Sequence, residues 1–348
     1  MKRTKNKNLS RQVRVKVSKK PSKKQEYDGD VGKMISTGST LLDLAISGGR
    51  VRGGGMPAGI LVEIFGPASS GKTVLLSEIA GAIQRQKGEV MFHDPEARLN
   101  KQFARIFDLD TEEMNYGTPN TVPEVFKAVR EWEPESKNIN GIFADSLAAL
   151  STDTEMDKEE GDKMGMRRAK KFSEECRKTC RVLAKNNYLM VCSNQIRQNL
   201  DAGPYGPKYK SPGGEAIGFY SSLRLRMSNP KKIKETRKVS GKEVMRVVGV
   251  KMEVEVFKSS VWKPYRTAPI TILFDYGIDN IRDCLQFIKD YTKNTTYCLG
   301  DNILSNEMNK AVKIIEEKRL EHDLKETVIT LWETIESKFE TERKPKIR

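Results

Sequence analysis

Gly66-Pro67-Ala68-Ser69-Ser70-Gly71-Lys72-Thr73 fits the phosphate-loop pattern G-x-x-x-x-G-K-[ST] without a mismatch. The flanks are the ones the pattern requires. Ile60-Leu61-Val62-Glu63-Ile64-Phe65 is a largely apolar run of strand length, rich in β-formers. Val74, Leu75, Ile79, Ala82 and Ile83 then recur at helical spacing. Strand, glycine loop and helix make a polyphosphate cradle. The glycines let successive backbone N–H groups turn inward, and the helix aims its positive dipole end at the same oxygens. In such a cradle Lys72 reaches the β- and γ-phosphates of ATP, and the Thr73 hydroxyl holds Mg²⁺.

The rest of the chain alternates strand and helix patterns. Val90-Met91-Phe92-His93 reads as a second strand running into Asp94-Pro95-Glu96, with a helix covering Leu99, Phe103 and Ile106 after it. Gly141-Ile142-Phe143-Ala144-Asp145-Ser146 is a third strand, and Tyr188-Leu189-Met190-Val191-Cys192-Ser193 a fourth that ends in Asn194-Gln195. Helical patterns separate them, notably over 165–186. This alternation predicts an α/β fold with a mostly parallel central sheet covered on both faces. Every polar candidate follows a strand's C-terminal end, where open α/β sheets hold ligands. Segments 218–228, 247–257 and 270–274 read as an antiparallel extension, with lysine-rich loops between the first two. From about Asp301 the pattern turns helical, and Leu324, Val328, Leu331, Ile335 and Phe339 form a packing stripe. Upstream, Ser39-Thr40 cap a short helix that stops at Gly48-Gly49.

Composition enters through charge. The net charge of +15 predicts a polyanionic partner, nucleic acid first and an acidic membrane surface second. Residues 1–26 hold eleven Lys or Arg and one acid, Glu26, and read as a basic arm. Within it Val13-Arg14-Val15-Lys16-Val17 has the alternation of a strand, which would have to pair with a sheet edge, for instance on a neighbouring subunit. The competing reading is a solvated tail that only supplies charge. No run approaches the ~18 apolar residues of a membrane span. Five scattered cysteines suit a cytoplasmic setting. With only His93 and His322 in the chain, Cys176 and Cys180 read as packing residues rather than zinc ligands.

Hydrolysis of a nucleoside triphosphate needs an acid on the metal side and a residue that activates water. Asp145, ending an apolar strand, is the natural metal-side acid. Glu96, ending a neighbouring strand, is placed to accept a proton from the attacking water. Gln195 can hydrogen-bond a γ-phosphate and report its presence.

Together these stretches resemble the bacterial RecA family of recombinases over about residues 34–290. Ile35-Ser36-Thr37-Gly38-Ser39 with Leu42-Asp43 is similar to the family's entry segment. The phosphate loop differs from the usual one mainly at Ala68. Asp94-Pro95-Glu96 occupies the place of the catalytic-glutamate motif, and Asp145-Ser146-Leu147-Ala148-Ala149-Leu150 resembles the metal-acid strand and its sequel. Asn194-Gln195-Ile196-Arg197 resembles the opening of the second DNA loop, and Gly213-Gly214 with Phe219-Tyr220 its exit.

The resemblance implies a P-loop NTPase with a RecA-like core over 34–290, a basic arm over 1–33 and a small helical region over 291–348. It implies two DNA loops, about 153–167 and 195–214. Met164 and Leu200 would separate bases, and Tyr205 would stack. Arg167, Arg168, Lys170, Arg197, Lys208 and Lys210 would neutralise phosphates, and Gly213 and Gly214 would close the second loop. Asn100 and Phe103 match positions that contact adenine. Lys258 matches the first of two lysines that reach the γ-phosphate of the adjacent subunit; Ser260 replaces the second, and Lys263 is a nearby substitute. The chain finishes basic at Lys344, Lys346 and Arg348, without the acidic tail of many relatives, which implies easier loading onto duplex. The implied function is an ATP-dependent, DNA-stimulated recombinase that forms filaments on single-stranded DNA and exchanges strands with a homologous duplex. The alternatives are a ring helicase or motor on the same core, and a DNA-binding scaffold or mediator with weak ATPase.

Overall fold

A computed structural model describes residues 33–99, 101–151, 164–198, 209–210, 216–292 and 294–343. Val13–Val17, the strand-like piece of the arm, lies outside them. In chain order the first elements are α1 (Thr40–Ser47), β1 (Leu61–Gly66), α2 (Lys72–Arg85), β2 (Val90–His93), α3 (Lys101–Ile106) and β3 (Asn115–Gly117). Next come α4 (Val122–Glu131), β4 (Asn140–Ala144), α5 (Met164–Asn186), β5 (Tyr188–Gln195), β6 (Arg197–Gln198) and β7 (Tyr209–Lys210). The chain continues through α6 (Ala216–Tyr220), β8 (Leu223–Met227), β9 (Lys231–Val239), β10 (Lys242–Ser259), β11 (Thr267–Leu273) and β12 (Gly277–Ile278). It closes with α7 (Asn280–Thr292), β13 (Tyr297–Leu299), β14 (Asn302–Ser305), α8 (Met308–Glu317) and α9 (Glu321–Ser337).

The main sheet runs in the order β12-β11-β10-β8-β1-β5-β4-β2-β3, with β9 on β10. From β8 to β3 every pairing is parallel; from β8 through β10 to β12, and between β9 and β10, it is antiparallel. Alternate residues of β1 feed two separate cores. Val62 and Ile64 pack with Leu75, Leu76 and Ile79 of α2, while Leu61 joins Phe126 of α4 and Phe172 and Leu183 of α5. This double cover is why β1 reads as one apolar run rather than a strict alternation. Local signals set the helix starts: Ser39 Oγ accepts from the Leu42 N–H, and Thr121 forms a capping box with Glu124 at the head of α4.

Three stretches differ from the sequence expectations. Residues 231–239, expected as polar loop, form β9, nine residues paired with the first part of β10, Lys242 to Lys251. The ribbon is largely exposed on both faces, so it lacks the apolar alternation by which strands are recognised. Residues 216–220, expected to open a strand at 218, are helical instead: the β-forming side chains Ile217, Phe219 and Tyr220 are overridden by packing, with Ile217 and Tyr220 in the core that α4 and α5 share. Finally, a hairpin, β13–β14, precedes the C-terminal helices, so the chain turns helical at Met308 rather than near Asp301.

The stripe on α9 is also rotated. Leu324 and Val328 are buried as expected, but Ile329 and Trp332 complete the buried face, and Phe339 is exposed. Trp332 lies 5.4 Å from the Trp262 ring, and Arg266 stacks on Trp262 at 4.6 Å while donating to Glu336 at 2.6 Å. This clasp sets the facing of α9. All five cysteines are free, and burial pushes the Cys176 thiol upward, consistent with a packing role. Among the described residues no helix is long and apolar enough to cross a membrane.

Candidate nucleotide site and nucleic-acid interface

The phosphate loop joins β1 to α2 as the pattern requires. Two glycines in it have steric reasons. Gly71 adopts φ +80°, and a Cβ there would come within 2.5 Å of Ile272 Cδ1; at Gly66 a Cβ would meet the Met227 carbonyl oxygen at 2.8 Å. The N-terminus of α2 carries no side-chain cap, which leaves its first amides available to an anion. Lys72 folds back over the loop, donating to the carbonyl oxygens of Pro67 at 2.7 Å and Gly66 at 3.3 Å. Ser70 Oγ donates to Pro67 O at 2.9 Å. Ala68 and Ser69 are exposed at the loop's outer rim.

The sheet order brings the other candidates alongside. β5, β4 and β2 succeed β1 in that sequence, so Gln195, Asp145 and Glu96 follow neighbouring strand ends. Gly66 is in register with Gln195, and the Ile196 N–H donates to Gly66 O at 3.4 Å, tying the phosphate loop to the start of the predicted second DNA loop. Thr73 Oγ1 donates to Asp145 Oδ2 at 2.5 Å, and Ser193 Oγ donates to Asp145 Oδ1. A hydroxyl and a carboxylate converging at the head of the loop are the oxygen donors that Mg²⁺ takes, so the residues fit that ion. Burial pushes the Lys72 ammonium down, and the charges of Asp145 and Glu96 push it back up. Both carboxylates thus act on the Lys72 charge without outweighing its burial.

Glu96 is partly exposed and pairs with Arg98 at 3.0 Å. Its loop is held by Asp94, which accepts from the Leu99 N–H at 2.7 Å and the Tyr116 hydroxyl at 3.1 Å. Leu99 therefore precedes α3 instead of lying within it. Phe103, on α3, is half-buried against Phe107 with ring centroids 4.9 Å apart. Asn100 lies outside the described residues.

The RecA N-terminal domain family matches residues 5–279. This chain belongs to the RecA family. RecA of Borrelia hermsii is 32% identical over 295 residues, covering 83% of this chain and 79% of its own length. RecA of Thermus thermophilus is 35% identical over 260 residues, covering 75% and 71% respectively. A solved structure of the RadB recombinase overlaps 70% of this chain and 98% of its own, at 19% identity and a TM-score of 0.48.

In this RecA-family chain the expected DNA residues are only partly within the described structure. Met164, Arg167 and Arg168 fall in the first turns of α5, and Lys170 follows them, exposed. Arg197 and Lys210 are register partners in the antiparallel β6–β7 pair, which lies within the 195–214 segment. Leu200, Tyr205, Lys208, Gly213 and Gly214 lie outside the described residues. Lys258 sits at a bulge in β10 and donates to the carbonyl oxygens of Gly218 at 2.9 Å and Phe219 at 2.8 Å. Lys263 is 3.9 Å from Glu336 and faces Trp262.

Four residues around the site escaped the sequence reading. Ser193 and Tyr116 brace Asp145 and Asp94. Glu63 is fully buried in β1, and an acid inside an apolar run was the signal for it. His93 is buried beside the loop that carries Glu96, with neither ring nitrogen hydrogen-bonded. Burial pushes the His93 imidazole from 6.5 down to about 4. The folded state therefore keeps it neutral, and below pH 6.5 the unfolded chain binds the extra proton. Stability from this group falls as pH drops from 6.5 through about 4, by about 3 kcal/mol in full. Asp43 and Asp283, pushed up to about 6 by burial, contribute with the opposite sign over that range. The difference in denaturant stability between wild type and His93→Ile isolates the histidine: the wild type should lose ground as acid is added. A pH-independent difference would contradict this.

Proposed function

We propose that this protein is an ATP-dependent recombinase that assembles head to tail on single-stranded DNA and pairs it with a homologous duplex. The observation that carries this is the alignment of the phosphate loop, Gln195, Asp145 and Glu96 along adjacent strand ends, with Gln195 opening directly into the β6–β7 hairpin. A group that reads the γ-phosphate and a segment that grips DNA are thus two residues apart.

On this reading the amides of 66–73 and Lys72 hold the triphosphate. Thr73 and Asp145 hold Mg²⁺, which when bound supplies positive charge against the phosphate oxygens. Glu96 accepts the proton of the attacking water. Asn100 and the ring of Phe103 flank the base. Gln195 bonds the γ-phosphate and so biases the second loop toward its DNA-binding arrangement. Arg167, Arg168, Lys170, Arg197, Lys208 and Lys210 neutralise the DNA backbone, and Met164, Leu200 and Tyr205 contact base faces. Gly213 and Gly214 let the backbone turn out of the loop. Lys258 completes the site of the next subunit, and the residue is partly exposed. Family membership favours this reading over the ring motor and the scaffold.

A shared site has a specific test. Lys72→Ala and Lys258→Ala proteins should each lack DNA-stimulated ATP hydrolysis. Mixed in equal amounts they should regain it at roughly a quarter of interfaces, because in a head-to-tail array that fraction unites an intact loop with an intact lysine. No recovery on mixing would place Lys258 outside the site. Strand exchange between circular single-stranded DNA and a homologous linear duplex tests the recombinase itself, and its absence with active ATPase would return the ring motor to favour.

A further inference from the structure

The γ-phosphate sensor and the interface lysine lie on different strands, and a single buried carboxylate stands between them. Glu63 is on β1, three residues before the phosphate loop, with no exposed surface. Its two oxygens go to different elements. Oε1 accepts from Asn194 Nδ2 at 3.0 Å, one residue before Gln195; Oε2 accepts from Arg224 Nε of β8 at 2.6 Å. The Arg224 guanidinium then lies over the rings of Phe65 at 4.6 Å and Phe257 at 5.3 Å. It also underlies α6: a Cβ at Gly218 would come within 2.9 Å of it. That same Gly218 offers its carbonyl to Lys258.

We propose that Glu63 is a positioning residue that couples the sensor strand to the interface lysine and to the helix that closes the second DNA loop. With no exposed surface, it acts through its partners rather than on the nucleotide itself. It holds Asn194 on one side and Arg224 on the other, so a shift of the β5 end on γ-phosphate contact reaches Arg224 through one shared carboxylate. Arg224 cannot move without disturbing Phe257, Gly218 and hence the seat of Lys258. The charge matters as well as the shape. Arg224 repels the Lys258 ammonium and Glu63 offsets it, so a neutral side chain at 63 would leave two facing cations unbalanced. Glu63 thereby keeps Lys258 poised on α6 until a phosphate competes for it.

This inference rests on the proposed roles of Gln195 and Lys258, and one experiment separates the two levels. The full-length protein is titrated against fluorescent oligo-dT by anisotropy, with ATPγS and Mg²⁺ and without nucleotide. The ratio of the two affinities measures coupling. A wild-type ratio of one would overturn the underlying reading and this inference with it. Given a wild-type ratio above one, Glu63→Gln should lower it by about tenfold or more, while nucleotide affinity in the absence of DNA changes less than about threefold. A structural defect alone would instead weaken both together. Glu63→Gln/Arg224→Gln should be no worse than Arg224→Gln, because the two act as one unit. An unchanged ratio in Glu63→Gln, or additive losses in the double variant, would overturn the assignment. Should Glu63→Gln fail to fold, Asn194→Ala and Arg224→Lys interrogate its two arms; normal ratios in both would also overturn it.

Discussion

Replacing Lys72 with alanine is expected to abolish ATP-dependent binding to single-stranded DNA. The ammonium feels the charges of both Asp145 and Glu96, and it is largely buried. In this structure its hydrogen bonds go to the Pro67 and Gly66 carbonyls. A triphosphate offers it charged acceptors instead, which make stronger bonds than neutral carbonyls. Alanine removes that attraction and takes away the ammonium charge that faces Asp145 and Glu96. Nucleotide affinity should fall by roughly 10-fold to 100-fold, the size of a lost hydrogen bond to a charged group. Anisotropy with labelled oligo-dT should then show the same weak, salt-sensitive binding with and without ATP. A Lys72→Ala protein that still tightened on DNA when ATP was added would refute the switch.

Glu96→Gln should separate binding from turnover. The substitution keeps the shape of the side chain and its place in the loop clamped by Asp94, but glutamine cannot accept a proton from water. Hydrolysis should drop by about 100-fold to 1,000-fold, as for loss of a general base. ATP and DNA binding should persist, so filaments formed with ATP should outlast those of the wild type. The Arg98 pair is partly solvated and worth little, so its loss should not unfold the loop. Phosphate release and electron microscopy of the same samples check both halves. Wild-type turnover would remove Glu96 from its role, and loss of ATP binding would show that the carboxylate positions nucleotide instead.

How far the site could be read in advance depends on how local each part is. The phosphate loop, Thr73 and Asp145 were legible because their chemistry needs fixed residue types at fixed distances from a strand end. Glu96 was legible for the same reason, although its clamp by Tyr116 was not, since β3 lies far along the chain and is only three residues long. Gln195 could be named, but not its registration with Gly66, which depends on β5 lying next to β1. Glu63 and His93 were hidden by their surroundings. Each sits in a run whose apolar neighbours define the strand, and nothing in a one-dimensional pattern says which partner a buried polar group finds, or that it finds none.

The β9–β10 ribbon shows the limit from the other side. Its nine first-strand residues carry charges on both faces, yet they pair fully because β10 supplies the backbone hydrogen bonds. Pairing satisfies amides whatever the side chains are, so such a strand leaves no hydrophobic trace. The rotation of the α9 stripe has a similar cause: the clasp of Trp332 with Trp262 and Arg266 fixes its facing, and Trp332 is far along the chain from the other two.

The residue order alone determined that β1, a glycine loop and α2 follow one another, that an acid ends the β4 segment and that the sheet is mostly parallel, because each follows from short-range geometry between neighbours in the chain. Only the tertiary structure decided that β5 and β8 flank β1, and therefore that Glu63 joins Asn194 to Arg224 while Lys258 rests on α6. Those contacts are set by strand order and burial, which are properties of the packed sheet as a whole.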